Sequence, residues 1–135
     1  MKVLAIDFGS KRIGLAVGNS QTRVGTPLGQ IASSNQRLVL DEIARKIGEF
    51  EIEQIVVGYP LNMDGSRGPA CMAVERFAAS LRKRAKLPVV LVDEKLSSFE
   101  AEEMGKAIEG DFRKRKTFLD SVAAQVILKT FFERS

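Results

Sequence analysis

The sequence contains no histidine and only one cysteine, Cys71. The absence of histidine excludes Ser-His-Asp and Cys-His nucleophilic mechanisms as well as histidine-ligated zinc. One cysteine can form neither an internal disulfide nor a thiolate zinc site, and such low cysteine usage favours a cytoplasmic protein. An enzyme built from this chain must therefore work with carboxylates, hydroxyls, lysine and arginine, and the metal that suits such groups is oxygen-ligated Mg²⁺ or Mn²⁺.

Long apolar runs are also missing from the sequence. None approaches the roughly 18 residues of a membrane span. The first apolar stretch, Val3 to Ile6, is interrupted by Asp7, too early for the core of a signal peptide. We therefore expect no membrane association. A chain of 135 residues that is 44% hydrophobic and 28% charged is typical of one globular domain, predicted here to span residues 1–135.

Positive charge is modest in sum but locally concentrated. The formal net charge is +4, and two short basic clusters stand out, at Arg82–Lys86 and at Arg113–Lys116. Such clusters can neutralise phosphates, although a solvated helix face is the commoner explanation for any one of them. The second cluster is the better candidate for phosphate contact.

The apolar patterns predict the element order β-β-β-α-β-α-β-α-α, which indicates a single α/β domain with a mixed sheet of five strands flanked by helices. A hairpin opens the chain, and Ser33 or Ser34 is expected to cap the first helix. The predicted elements are strands at 3–8, 13–17, 27–32, 54–58 and 88–92, with helices at 35–50, 69–85, 97–110 and 117–133.

Three groups of acidic residues occur where such a sheet places a ligand site. Asp7 closes an otherwise apolar strand, where an ionised carboxylate is costly unless a cation, hydrogen-bond donors or a raised pKa compensates it. Asp93 and Glu94 follow the last strand, and Asp120 lies in the first turn of the closing helix. Ligands bind outside the carboxyl ends of parallel strands, so acids converging there favour a divalent metal site.

Each acid also has a purely structural explanation. Asp7 could accept backbone N–H bonds from the turn that follows it, and Thr117 with Asp120 fits the acidic form of a capping box. Asp93 and Glu94 would point to opposite faces of the sheet, so only one of them can join Asp7. The residues alone leave that choice open.

Four segments of the sequence together resemble a known family. The segments Ile6–Gly14, Gly58–Gly65, Asp93–Ser98 and Asp120–Leu128 are similar, in order, to the motifs of the YqgF family, also called RuvX. The resemblance covers almost the whole chain. It implies the ribonuclease H-like fold of the Holliday-junction resolvase RuvC and the activity of a metal-dependent nuclease.

The resemblance also assigns roles to residues. It implies that Asp7, Glu94 and Asp120 are the catalytic acids that bind Mg²⁺ or Mn²⁺, with Glu94 as the family-like choice over Asp93. Lys95 stands where the family usually has arginine; it keeps the positive charge but lacks the bidentate fork. Contacts to the nucleic-acid backbone are expected from the neighbouring basic residues, namely Lys11, Arg12, Arg67, Lys95, Arg113, Lys114, Arg115 and Lys116.

The substrate is the least determined part of the prediction. The resemblance implies processing of the 5′ end of precursor 16S rRNA, whereas the relation to RuvC leaves cleavage of four-way DNA junctions as the alternative. Since no dimer surface is evident, we expect a monomer or weak homodimer, which favours the RNA substrate over a junction cut on two strands. A non-catalytic nucleic-acid-binding module is a further alternative. An ATP-dependent phosphotransferase would need a second lobe that 135 residues do not supply.

Overall fold

A computed structural model describes residues 1–9, 11–60, 64–93 and 123–133. Within these ranges the chain forms five strands and three helices. The third helix, α3, is described over residues 123–133. The other elements are β1 (Lys2–Phe8), β2 (Arg12–Asn19), β3 (Val24–Ala32), α1 (Gln36–Phe50), β4 (Gln54–Tyr59), α2 (Pro69–Ala85) and β5 (Val89–Asp93).

The strands form one mixed sheet in the order β3-β2-β1-β4-β5. The first three strands make an antiparallel meander, and β4 and β5 add to β1 in parallel after the helical crossovers α1 and α2. The predicted five-stranded mixed sheet is confirmed. Because β1, β4 and β5 run in the same direction, their carboxyl ends lie at one edge of the sheet.

Each face of the sheet carries its own apolar core. Leu4 and Ile6 of β1 pack with α1 and α2 on one face, whereas Val3 and Ala5 pack with α3 on the other. This alternation follows from the two-residue period of a strand. We name the two sides the α1/α2 face and the α3 face.

Two glycines allow α3 to approach the sheet closely. A Cβ atom added at Gly18 would lie 2.6 Å from Leu128 Cδ2, and one added at Gly25 would lie 2.9 Å from the same atom. The Gln125 side-chain amide donates to the Gly25 carbonyl at 2.9 Å. The small residues of β2 and β3 therefore fix where α3 packs.

The structure corrects two details of the predicted elements. The N-cap of α1 is Asn35, not Ser33 or Ser34, because the Asn35 side chain accepts hydrogen bonds from the N–H groups of Arg37 and Leu38. Strand β3 begins at Val24, three residues earlier than predicted, since pairing with β2 continues as far as Asn19.

One predicted helix matches the structure, and another falls outside the described residues. The predicted helix from Pro69 to Ala85 matches α2, and Cys71 in its first turn is fully buried. The helix predicted at 97–110 and the basic loop after it fall outside the described residues. In the ranges given above, no helix is long and apolar enough to cross a membrane.

Candidate active site

Asp7 lies at the carboxyl end of β1 and is half-buried. Its backbone neighbour across the antiparallel pair is Gly14, and Ile6, just before it, pairs with Val57 of β4. Alternation along β1 places Asp7 on the α3 face, the side of Val3 and Ala5. The acid is thus at the sheet edge where parallel strands end, as the sequence predicted.

A tight turn fixes the chain directly after Asp7. The Gly9 N–H donates to the Arg12 carbonyl at 3.0 Å, and the Ser33 N–H donates to the Lys11 carbonyl at 3.0 Å. A Cβ atom at Gly9 would lie only 2.5 Å from the Arg12 carbonyl oxygen, so the turn requires glycine there. The structural explanation of Asp7 would have this acid accept hydrogen bonds from backbone N–H groups of the turn. One of those groups, the Gly9 N–H, donates to the Arg12 carbonyl instead.

The basic residues of this turn border the acid. Lys11 is exposed and Arg12 is half-buried at the start of β2. Their position beside the end of β1 is the one expected of residues that contact a nucleic-acid backbone near Asp7. That role remains a prediction for both.

Asp93 ends β5 on the opposite side of the sheet from Asp7. It pairs with Tyr59 at the end of β4. Val89 and Leu91 pack on the α1/α2 face, and Val92 packs on the α3 face, so alternation puts Asp93 on the α1/α2 face. Of the two adjacent acids, Asp93 is therefore the one that does not share a face with Asp7.

Glu94 and Asp120 lie outside the described residues, and so do Lys95 and the basic segment 113–116 (Arg113, Lys114, Arg115 and Lys116). Across the part of the chain that is described, no three acidic or cysteine side chains form a cluster that could hold a metal. The carboxylate of Asp7 has the chemistry that Mg²⁺ prefers.

A second polar cluster occupies the same edge on the α1/α2 face. The Tyr59 hydroxyl donates to Glu75 Oε1 of α2 at 2.8 Å, and Arg67 Nη2 donates to both Glu75 oxygens. The hydrogen bonds from Arg67, with a smaller effect from Tyr59, lower the pKa of Glu75. Desolvation is the main cause that raises the pKa of Tyr59, followed by its bond to Glu75.

This cluster bears on the prediction that Arg67 contacts a nucleic-acid backbone, because it gives Arg67 a partner within the protein. The arginine side chain remains 60% exposed, but its charge is paired with Glu75. Sequence reasoning missed Glu75, because no spacing rule links a residue in the second turn of a helix to a strand end and a loop. The guanidinium group of Arg67 is thus held by Glu75 at this edge of the sheet. Contact of Arg67 with nucleic acid remains a prediction.

The loop before α2 is a self-contained turn. Asp64 Oδ1 accepts hydrogen bonds from the Ser66 N–H at 2.9 Å and from the Ser66 hydroxyl at 2.6 Å, which lowers the pKa of Asp64. Gly65 has a φ of 85°, which favours glycine. Asp64 is therefore a turn residue.

Comparisons with known proteins identify the family. A family model described as "RuvX: Holliday junction resolvase" matches residues 1–134. A relative from Maridesulfovibrio salexigens, named "Putative pre-16S rRNA nuclease", is 41% identical over 135 residues and is covered over its full length, as is this chain. One of the same name from Geobacillus kaustophilus is 40% identical, with 98% of each chain covered.

Solved structures agree on the fold. RuvC of T. thermophilus in complex with a Holliday junction substrate superposes with a TM-score of 0.62 at 16% identity, covering 99% of this chain and 95% of RuvC. The Fowlpox virus Holliday junction resolvase gives a TM-score of 0.57 at 13% identity, with both chains fully covered. The predicted ribonuclease H-like fold is thereby confirmed. The family model that matches residues 1–134 and the relative that is 41% identical over its full length show that the chain belongs to the RuvX family.

Proposed function

We propose that this protein is a metal-dependent nuclease that hydrolyses phosphodiester bonds at the 5′ end of precursor 16S rRNA. The single observation that carries the proposal is Asp7, a half-buried acid at the carboxyl end of β1 on the α3 face. The substrate is supported by the names of relatives 36–41% identical over nearly the whole chain. One domain over residues 1–135 and a cytoplasmic location complete the proposal.

The proposed metal ligands are Asp7, Glu94 and Asp120. Asp93 shares neither the face nor the row of Asp7, which supports Glu94 as the acid contributed from the end of β5. A bound Mg²⁺ or Mn²⁺ would supply a water of lowered pKa and stabilise the charge of the leaving oxygen. Asp7 itself provides carboxylate oxygens at a position that the Gly9–Arg12 turn holds in place.

Backbone positioning is assigned to the basic residues predicted from the sequence. Lys11 and Arg12 are supported by their location beside Asp7. Lysine and arginine contacts to phosphates hold a strand in place without reading its sequence. The same role is proposed for Arg67, Lys95 and the segment 113–116.

The test is a cleavage assay on labelled RNA that carries the 16S precursor 5′ extension, with Mg²⁺ or with EDTA. Wild type should cut only with Mg²⁺, whereas Asp7→Asn should not cut. Asp7→Asn should nevertheless fold normally or become more stable, because it removes a charge from a crowded acidic site. Unfolding of this variant would show that Asp7 has a structural role instead.

Metal binding has a readout that does not depend on cleavage. A ligand that binds only the folded state raises its stability, by about 2.7 kcal/mol at a concentration 100 times the dissociation constant. Mg²⁺ should therefore raise the Tm of wild type and have little effect on Asp7→Asn. Equal shifts in both proteins would contradict a metal site at Asp7.

Cleavage of four-way DNA junctions is the second candidate. It is favoured by the family description and by the structural similarity to RuvC. A junction substrate in the same assay, with sedimentation to determine whether the protein is a monomer or weak homodimer, separates the candidates. Cutting of the junction alone, by a dimer, would replace the RNA proposal.

A further inference from the structure

The Arg67 side chain is held by the protein and exposed to solvent at the same time. Its Nη2 atom donates to both carboxylate oxygens of Glu75, and 60% of the side chain nevertheless remains exposed. A guanidinium group has five N–H donors arranged in a rigid fork. Because both bonds to Glu75 come from Nη2, further donors of this exposed group remain for a second anion.

Rigid elements fix the carboxylate that holds Arg67. Glu75 lies in the second turn of α2, and Tyr59 ends β4. The Tyr59 hydroxyl donates to Glu75 Oε1 at 2.8 Å, while the tyrosine also packs against the apolar core of the α1/α2 face. The position of the guanidinium group is therefore set by a strand and a helix, although Arg67 itself belongs to a loop.

The held arginine lies at the edge of the sheet that carries Asp7. Ile6 of β1 pairs with Val57 of β4, so Asp7 and Tyr59 follow that pair by one and two residues. Adjacent strands are about 4.8 Å apart, which puts the ends of β1 and β4 side by side. Arg67 is thus an exposed cation near the strand end where Asp7 is placed, on the α1/α2 side of the edge.

The ion pair with Glu75 has two opposing effects on a phosphate contact by Arg67. An arginine side chain loses much conformational freedom when a ligand immobilises it, and the bonds to Glu75 impose that order before any strand binds. Repulsion between the Glu75 carboxylate and the phosphate opposes the contact. It acts across the intervening guanidinium group at a partly exposed position, where water and salt weaken it. The ordering of Arg67 is therefore the larger effect.

We propose that Glu75 and Tyr59 are positioning residues, which hold Arg67 for contact with a backbone phosphate of the strand bound at Asp7. The inference rests on the proposed nuclease function and adds how one of its phosphate contacts is built. It follows from the hydrogen bonds that join Tyr59, Glu75 and Arg67 and from the exposure of the guanidinium group. Such a contact positions the strand without reading its sequence.

The experiment measures cleavage of the precursor RNA by wild type, Arg67→Ala, Glu75→Gln and a matched control, Glu42→Gln. Glu42 accepts from Arg45 within α1, in a partly exposed ion pair of the same kind. Loss of the phosphate contact should raise KM about tenfold for Arg67→Ala. Loss of its positioning should raise KM about fivefold for Glu75→Gln, with kcat little changed in both. Tyr59→Phe should cause a smaller increase in KM, and Glu42→Gln none.

A double-mutant cycle separates positioning from a purely structural role. Binding of uncut RNA, measured in an Asp7→Asn parent, should weaken with Glu75→Gln but should not weaken further when Arg67→Ala is already present. RNA binding by the Glu75→Gln protein at or above the level of the parent, an equal loss with and without Arg67, or no RNA binding by the parent would overturn the inference. Absence of cleavage by wild type would instead contradict the proposed function, and the binding cycle would still decide the role of Glu75.

Discussion

Basic side chains lie at both ends of strands β1, β4 and β5, but they are used differently. At the amino end, Arg82 Nη2 donates to the Val89 carbonyl at 2.9 Å. Arg84 pairs with Asp41 of α1 at 2.8 Å. These cations belong to the last turn of α2, where positive charge also complements the helix dipole. Two arginines of the first basic cluster, Arg82 and Arg84, therefore have partners within the protein.

At the carboxyl end, basic residues lie beside an acid instead. Lys11 is exposed and Arg12 is half-buried in the turn that follows Asp7. The same residue types thus join α2 to its neighbours at one end of the sheet and lie beside Asp7 at the other. Position on the sheet, more than local charge density, determines which basic residues are candidates for binding a ligand.

The sharpest test of this contrast uses two adjacent acids. Glu94→Gln should abolish cleavage, because Glu94 is the proposed ligand from the end of β5. Asp93→Asn should retain most of the activity, since Asp93 lies on the α1/α2 face. Cleavage rates at saturating Mg²⁺ measure both variants. A larger loss in Asp93→Asn would show that the other acid completes the site.

Substitution of two glycines, one in the turn after β1 and one in α1, should change the free energy of unfolding in opposite directions. Gly9→Ala places a Cβ atom 2.5 Å from the Arg12 carbonyl oxygen, so we expect a destabilisation of about 1–3 kcal/mol together with reduced cleavage. Gly48→Ala, at an exposed position of α1 with no atom within 4 Å of the new Cβ, should stabilise the protein by about 0.5–1 kcal/mol. Urea unfolding measures both. A neutral Gly9→Ala would mean that the turn can relax without disturbing Asp7.

Two exposed lysines, one at each end of the sheet, should differ in their contribution to RNA binding, and this effect is smaller. Removing one phosphate contact to single-stranded RNA should reduce the slope of log affinity against log salt by about 0.7. We expect that change for Lys11→Ala and none for Lys83→Ala, in the last turn of α2. RNA affinity measured over a salt series gives both slopes. Equal slopes in the two variants would remove Lys11 from the proposed interface.

Much of the fold could be predicted from the sequence. The alternation of apolar strands with helical periodicity was enough to predict a mixed five-stranded sheet and the bounds of α2. The cap of α1 was assigned to serine because the choice among adjacent capping residues depends on where the backbone turns. Side-chain hydrogen bonds from Asn35 decide it in the structure.

The site was only partly predictable for physical reasons. Asp7 was identifiable because a carboxylate in an apolar strand is costly. The face of the sheet on which Asp93 lies could not be predicted, because only the packing of β5 against the two cores reveals it. Glu75 gave no signal at all, since a contact between a helix and a loop is a tertiary feature.

The smallest effect concerns the ion pair of Arg67 and Glu75. Hydrogen bonds from Arg67 lower the pKa of Glu75, so this carboxylate stabilises the fold above its ordinary pKa range, and the contribution is lost as the pH falls through the lowered value. The difference in stability between wild type and Glu75→Gln should therefore be larger at pH 7 than at about pH 3. It should also shrink in high salt because the pair is partly exposed.

Tyr59→Phe is the matched control for this last measurement. It removes a hydroxyl that donates to Glu75 but leaves the ion pair with Arg67 in place. Its effect on urea unfolding should change less between the two pH values than that of Glu75→Gln. If Glu75→Gln loses more stability in acid than at neutral pH, the carboxylate does not stabilise this edge through its charge. Arg67 would then be available for phosphate contact in the way that Lys11 is.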